Sequence, residues 1–193
     1  MAAVTCKFFT YAKVTGGGSG SAVTYSGGTM LDDYLAKVDI NESRGDAKEY
    51  ADGHLIDSEA VPTEVTMALE LVNNNETIMK DVLGLAQPET NGDLILTEAD
   101  APFVGAGCII QDRFKGSSTY RAYWIYKAQF VSGGVTSSTR RDTTTWEHET
   151  ITGTGVGVTL TSGGAVSYYA VKAGLATEAA AIAWLKGKAG ISG

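Results

Sequence analysis

The chain has 193 residues, 44% of them hydrophobic and 19% charged, a composition that supports one globular domain, 1–193, with a substantial core. Its formal net charge of −7 argues against tight binding of nucleic acid, because phosphate contacts need clustered lysine and arginine. With 24 glycines and only three prolines, the chain is expected to contain many turns and glycine-interrupted strands, not a proline-rich linker.

The two cysteines, Cys6 and Cys108, are too few and too far apart for a disulfide framework or a Cys-x-x-Cys site. Free thiols in a reducing compartment are therefore expected. No apolar run approaches the roughly 20 residues of a transmembrane helix, and the N-terminal stretch lacks the features of a signal peptide. We expect a soluble protein that begins near Met1 and is made in the cytoplasm.

The first predicted strand is Val4–Val14, with Phe9 and Tyr11 on one face and Phe8 on the other, because side chains alternate along a strand. Residues 15–21, TGGGSGS, are too rich in glycine and serine for a regular element and predict a flexible loop. Short strands are expected over 22–25 and 34–40.

Residues 41–62 are the most highly charged stretch of the chain. Such a segment is typical of a solvated loop or of a strand edge; we take it as a long loop, and function is often concentrated in loops of this kind. Charges of both signs and one aromatic ring make it a candidate for contacts with another molecule. The candidate residues are Arg44, Asp46, Lys48, Glu49, Tyr50 and Asp52.

The centre of the chain predicts a strand followed by a helix. Residues 64–72 alternate between apolar and polar side chains, as in a half-buried strand. For the helix that follows, Asn74 or Asn75 is the predicted N-cap and Gly84 the predicted stop. Its predicted apolar side consists of Ile78, Val82 and Leu85. A short strand is expected at 93–97.

The clearest pattern predicts an antiparallel hairpin, with strands at 103–111 and 119–131 and a loop at 112–118. In the second strand aromatic side chains recur at every second or fourth position, so we expect them on one buried face. A platform on which a ligand stacks is the alternative interpretation. The predicted core residues are Tyr120, Trp124, Tyr126 and Phe130.

Towards the C-terminus, residues 142–161 predict a threonine-rich strand or strand pair in which Gly153, Gly155 and Gly157 share one face. Glycines inside a strand indicate a bend, a bulge or the close approach of another group. A further strand is expected at 167–171. The last predicted element is a helix over 177–189, with Thr177 as its N-cap. Its apolar stripe consists of Ala181, Trp184 and Leu185. Many strands and two short helices indicate a mainly β protein, a two-sheet sandwich or a barrel.

Patterns that carry catalysis or bind metals are weak. The histidines, His54 and His148, stand in no zinc motif, and no serine lies in Gly-x-Ser-x-Gly. Glu147, His148 and Glu149 alternate in direction if they form a strand, so they do not converge on one ion. The sequence therefore predicts no catalytic, cofactor-binding or metal-ligating residue, and a protein that is not an enzyme.

The N-terminal strand with the glycine-rich loop after it, and six further segments, resemble in the same order the major tail tube proteins of bacteriophages with long, non-contractile tails. Residues 156–165 depart from the resemblance, since they are richer in glycine and threonine. The segments are KEYADGHLIDSEA, VTMALELVNNNETIMKDVLG, APFVGAGCI, YRAYWIYKAQF, a threonine-rich stretch before Glu147, and TEAAAIAWLK.

The resemblance implies a two-sheet sandwich with a flanking helix and homo-hexameric rings stacked into a hollow tube in the virion. Double-stranded DNA would pass through the tube without specific binding, and the tape measure, tail terminator and distal tail proteins would be partners. The charged stretch 41–62 would contact the next ring. Two alternatives remain: another phage component, such as a tail terminator or head decoration protein, and a carbohydrate-binding sandwich that uses Trp124, Trp146 or nearby tyrosines.

Overall fold

The computed structural model describes residues 2–51, 54–88, 92–134 and 147–191, and within them strands dominate. The strands are β1 (Ala2–Gly16), β2 (Thr24–Leu31), β3 (Leu35–Ala51), β4 (His54–Leu71), β5 (Val104–Phe114), β6 (Ser117–Ser132), β7 (Glu149–Gly155), β8 (Val158–Thr159), β9 (Val166–Ser167) and β10 (Tyr169–Leu175). The helices are α1 (Glu76–Asp81) and α2 (Glu178–Ala189). The predicted mainly β class with two short helices is confirmed.

Eight strands form one antiparallel sheet in the order β2-β1-β5-β6-β7-β4-β3, with β10 added beside β6. The sheet divides along β6, whose residues 120–125 pair with β10 and whose residues 128–132 pair with β7. At the fork the N–H of Tyr126 donates to the carbonyl of Tyr168, at 3.0 Å, and the N–H of Val156 donates to the carbonyl of Lys127, at 2.8 Å. This fork separates the two halves of a sandwich-like fold. Strands β8 and β9 form a small second sheet.

Two hydrophobic clusters cover opposite faces of β1, β5 and β6. The main core joins these strands to β4, β7 and α1, and the second core lies beneath α2. Every residue of β5 from Val104 to Ile109 is buried, because the strand is covered on both sides. The buried main core contains Phe9, Tyr11, Val65, Met67, Leu69, Leu71, Ile78, Val82, Leu83, Val104, Ala106, Cys108, Ile125, Ala128, Phe130 and Ile151.

The predicted core face of β6 is only partly correct. Trp124 and Phe130 are fully buried, whereas Tyr120 and Tyr126 are half-buried at the surface of the second core. Trp124 lies in the second core and Phe130 in the main core, so the four residues do not share one face. The reason is a β-bulge. Between the pairs Val104–Ala128 and Ala106–Ile125, β5 advances by two residues and β6 by three, which inverts the alternation.

The helix predictions are confirmed in their caps and only partly in their buried sides, because Leu85 lies beyond the end of α1 and is half-buried. The side chain of Asn75 accepts from the N–H of Ile78 at 3.0 Å, and the side chain of Thr177 accepts from the N–H of Ala180 at 3.2 Å. Gly84 follows α1 with a φ of 76°, in the left-handed region that favours glycine. The buried helical residues include Ile78, Ala181 and Leu185, while Trp184 is half-buried.

Two further predictions need correction. Residues 93–97 do not form a strand, because only Ile95 pairs, through reciprocal hydrogen bonds with Ala86 of 2.8 and 2.9 Å. The glycine-rich loop at 15–21 is attached at its centre to β8. The N–H of Gly20 donates to the carbonyl of Thr159 and the N–H of Thr159 donates to the carbonyl of Gly18, each at 2.8 Å.

The predicted hairpin β5–β6 is confirmed, with a tighter turn than predicted. For the glycines of β7, a bend, a bulge or the close approach of another group was predicted, and the structure shows close approach. A Cβ built on Gly153 would lie 2.5 Å from the ring of Phe130, and one on Gly155 would lie 3.0 Å from the carbonyl oxygen of Val65. Side chains at these positions would push neighbouring strands apart, so glycine is required where the two halves of the sheet meet.

Candidate functional site

The stretch predicted as a long charged loop is instead a β-hairpin that leaves the body of the protein. Strand β4 pairs with β7 only from Val65 to Leu71. Farther out, β3 and β4 pair with each other alone among the described residues. We call residues 44–51 and 54–62 the arm. Its β3 strand has eight residues, which give the arm a length of about 26 Å.

The arm forms because the side chains of β3 keep alternating between its two faces beyond Ile40, the last residue of the strand that packs on the main core. Val38 and Ile40 pack on the main core, and the same face then carries charged side chains. The extra residue that adjusts the register lies in β4, between the pairs Ser43–Glu64 and Arg44–Pro62, so β3 keeps its alternation. The charged residues of this face are Glu42, Arg44, Asp46 and Lys48.

These four side chains form a row of alternating sign, which we call the charge row. Arg44 Nη2 lies 2.8 Å from Glu42 Oε2, and Lys48 Nζ lies 3.0 Å from Asp46 Oδ2. Neighbours on one face of a strand are separated by about 7 Å, so the row has a fixed spacing. The structure thus brings three of the six predicted contact residues together. Glu49 and Tyr50 lie in β3, and Asp52 lies outside the described residues.

Two neighbouring tyrosines hold the base of the arm, Tyr168 directly before β10 and Tyr169 at its first position. The hydroxyl of Tyr168 donates to the carbonyl oxygen of Thr63 at 3.1 Å, and the hydroxyl of Tyr169 donates to the carboxylate of Glu42. The hydrogen bonds from Tyr169 and Arg44 lower the pKa of Glu42. The same bond to Glu42 raises the pKa of Tyr169 to about 12. Glu42 is therefore ionised at neutral pH and links the arm to β10.

A chain of polar contacts continues from this base into the sheet. The ring of Tyr169 lies against that of Tyr123, with centroids 6.1 Å apart, and the hydroxyl of Tyr123 accepts from Arg121 Nη1 at 3.1 Å. Arg121 in turn binds Asp112 through two hydrogen bonds, from Nε at 2.5 Å and from Nη2 at 2.8 Å. Asp112 is 2% exposed, so this bidentate pair is the buried end of the chain.

This chain of contacts was not predicted, because Asp112 falls in the loop predicted at 112–118. A signal was present: Asp112 and Arg121 lie close to a Lys-Gly turn, where opposite charges on facing strands are neighbours. The tyrosines at 168 and 169 gave no signal, since their role depends on where β10 joins the sheet. The base of the arm is therefore a property of topology and not of a local motif.

The alternative of a ligand platform is disfavoured by burial. Trp124 is 0% exposed, and its Nε1 donates to the hydroxyl of Tyr25 at 3.1 Å. Trp146 lies outside the described residues. Tyr126 lines a surface cavity of about 340 Å³ with Tyr25, but the hydroxyl of Tyr25 is already bound to the carbonyl of Tyr126. The buried indole presents no face on which a sugar ring could stack.

No group of three or more metal-ligating side chains occurs in the part of the chain that the structure describes, which includes Glu147, His148 and Glu149. Over the same residues, neither helix is long and apolar enough to cross a membrane. Both cysteines are free thiols, and burial raises the pKa of Cys108 to about 12. The sequence matches no protein-family model, and no curated protein matches it.

Proposed function

We propose that this chain is a structural virion protein of a bacteriophage, which forms homo-hexameric rings that stack into the tail tube of a long, non-contractile tail. The tube is a conduit through which double-stranded DNA enters the host. The protein acts through assembly and not as an enzyme. The observation that carries the proposal is the arm, a two-stranded extension of about 26 Å that pairs with no further strand among the described residues of its own subunit.

A free two-stranded hairpin is marginally stable in water, because it lacks a hydrophobic face packed on other strands. The arm of this protein is long, carries exposed side chains and is attached to the body only at its base. Such an element gains stability when a neighbouring subunit covers it. A protein that repeats this contact indefinitely forms a filament or tube, since the contact joins two different surfaces.

The charge row supports a head-to-tail contact through the arm. Two positive and two negative side chains alternate along one face, so a complementary surface would bind it in one register. We therefore keep the arm as the proposed ring-stacking element. The proposed contact residues are Arg44, Asp46, Lys48, Glu49 and Tyr50 in the arm, together with Asp52.

Free sheet edges support lateral closure into a ring. The main sheet ends at β2 on one side and at β3 on the other. Unpaired edges are sites where strands of other chains add, and a closed ring removes them. A ring of this acidic chain, with its net charge of −7, would also present little attraction to DNA phosphates. The tape measure, tail terminator and distal tail proteins are the further partners that follow from this proposal.

Negative-stain electron microscopy of the concentrated protein tests the proposal. Rings with six subunits and hollow tubes of uniform width are expected. A variant that lacks residues 45–61 but keeps the base of the arm is the matched control, and it should retain the fold without forming tubes. Uniform monomers of the complete chain at every concentration would contradict the proposed function.

A further inference from the structure

The turn between β5 and β6 forms a small basic and aromatic projection, which we call the basic tip: Arg113, Phe114 and Lys115. Strands β5 and β6 are joined by two residues, Lys115 and Gly116, with φ of 48° and 87°. Positive φ at both positions is typical of a tight type I′ turn, so the tip is held rigidly by the hairpin. The side chain of Phe114 is 52% exposed.

Both cations of the basic tip point to solvent without an acidic partner. Arg113 and Lys115 are exposed, and neither forms an ion pair within the described residues. Lys115 Nζ lies 5.4 Å from the centre of the Phe114 ring, so charge and apolar surface are adjacent. In a chain with a net charge of −7, two unpaired cations beside an exposed phenylalanine indicate a surface that binds a partner.

A surface of opposite character lies in the segment before β5, and we call it the acidic patch: Asp93, Ile95, Leu96, Glu98 and Asp100. Leu96 is 80% exposed and Ile95 is 46% exposed. The three acidic residues are exposed and form no ion pair within the described part of the chain. The bridge between Ile95 and Ala86 holds the segment in place.

The two surfaces lie at opposite ends of the sheet. The segment that carries the acidic patch ends where β5 begins, and Gln129 Nε2 fixes it there by donating to the carbonyl of Ala101 at 2.8 Å. The basic tip lies at the other end of the same strand, ten residues farther along. An extended strand of this length separates its ends by roughly 33 Å.

We infer that the basic tip of one copy of this chain binds the acidic patch of a second copy, in a head-to-tail contact along the direction of β5. Exposed apolar side chains, Phe114 on one side and Leu96 on the other, would be covered together. The surrounding charges have opposite sign, which selects this pairing over tip with tip or patch with patch. The inference rests on the proposed function in placing the contact between successive rings, and it adds a second contact to that of the arm.

Charge-reversal variants test the pairing because each side can be changed separately. Arg113→Glu with Lys115→Glu makes the tip acidic, and Glu98→Lys with Asp100→Lys makes the patch basic. Each variant alone should fail to form long assemblies. An equal mixture of the two should regain wild-type length, since the acidic tip of one fits the basic patch of the other. The matched control, Lys172→Glu with Lys186→Glu, changes the net charge as much as the tip variant and should assemble normally.

Normal assembly of either reversal variant, or a mixture that assembles no better than its components, would overturn the inference. Sedimentation measures the length distribution, and circular dichroism verifies the fold. Loss of assembly in the control as well would show that added negative charge is the cause, which would also overturn it.

A cross-link measures the contact independently of tube formation. Lys115→Cys with Thr97→Cys in one chain should give a ladder of linked oligomers with a short bismaleimide, while Phe114 and Leu96 stay in place. Wild-type protein, with only its own thiols, and a Lys172→Cys, Thr97→Cys chain should give no ladder. A ladder without tubes would mean that the proposed tail function is wrong and the contact correct; tubes without a ladder would mean that the contact is wrong.

Discussion

At the scale of single residues, Trp124 shows how one buried side chain determines the identity of its neighbours. A Cβ added to Gly105 or Gly107 would lie 2.5 or 2.8 Å from atoms of the Trp124 ring. The indole therefore lies over two glycines of β5, with its Nε1 bound to Tyr25. The alternation of β5 between glycine and larger residues follows from this packing.

Replacing Trp124 by alanine should lower the free energy of unfolding by about 3–5 kcal/mol, because a fully buried ring is removed and the glycines beneath it leave a cavity. Urea denaturation of the subunit measures the change. Trp184→Ala, at the half-buried end of the α2 stripe, is the control and should cost distinctly less. A Trp124→Ala protein as stable as the control would contradict the burial described for this face.

The thiol of Cys108 should not react with thiol reagents while the protein is folded. Burial raises its pKa from 9.0 to about 12, so the reactive thiolate is scarce in the native state. A group whose pKa is raised by folding contributes stability that is complete below pH 9 and is lost as the pH rises from 9 towards 12. Ellman titration of a Cys6→Ser variant at pH 8 tests this; rapid release of one equivalent from the folded protein would contradict it.

At the scale of elements, the arm is held to β10 by a bond that depends on pH. The pKa of Glu42 is lowered by hydrogen bonds from Tyr169 and Arg44, so its contribution is present above the unfolded pKa and is lost as the pH falls through the lowered value. We expect acid to loosen the base of the arm before the core unfolds. Tyr169→Phe should remove most of this dependence, as measured by amide exchange of β3 between pH 3 and 7. Identical exchange in the variant and wild type would be inconsistent with this link.

If the protein forms the proposed tube, the charge row should determine whether further subunits add to it. Replacing Arg44 and Lys48 by glutamate places four like charges in succession on one face of β3, which would oppose the complementary surface that we propose for a neighbouring subunit. We expect an intact fold and short assemblies at ordinary salt, with partial recovery at high salt because exposed charges are screened. Sedimentation gives the length distribution, and Lys172→Glu with Lys186→Glu is again the control. Tubes of normal length would place the stacking contact elsewhere.

The elements that could be predicted from sequence are those whose signal is local. A period of two identified β1, the inner half of β4 and the β5–β6 hairpin, and capping residues identified both helices. The arm was missed because the two-residue period continued in charged side chains, and a charged stretch is ordinarily a loop. The bulge in β6 was missed because an inserted residue leaves the sequence pattern unchanged. The hydrogen bonds by which Tyr168 and Tyr169 hold the base of the arm were not predicted, because they join residues more than a hundred positions apart in the chain.

At the scale of the whole molecule, the described residues include three kinds of feature without a further strand or an opposite charge beside them: the edges of the sheet at β2 and β3, the arm, and the two charged surfaces at opposite ends of β5. Each is explained if the functional unit contains many copies. The edges suit neighbours within a ring, and the arm and the end surfaces suit neighbours along an axis.

Amide hydrogen exchange on residues 44–51 and 54–62, compared between the free subunit and the assembled protein, tests this arrangement most directly. In the free subunit these amides should exchange rapidly, because a lone two-stranded ribbon opens easily. In the assembly they should be strongly protected, while amides of β5 should be protected in both states. Equal protection of the arm in the free and assembled protein would contradict its proposed role as the element that joins subunits.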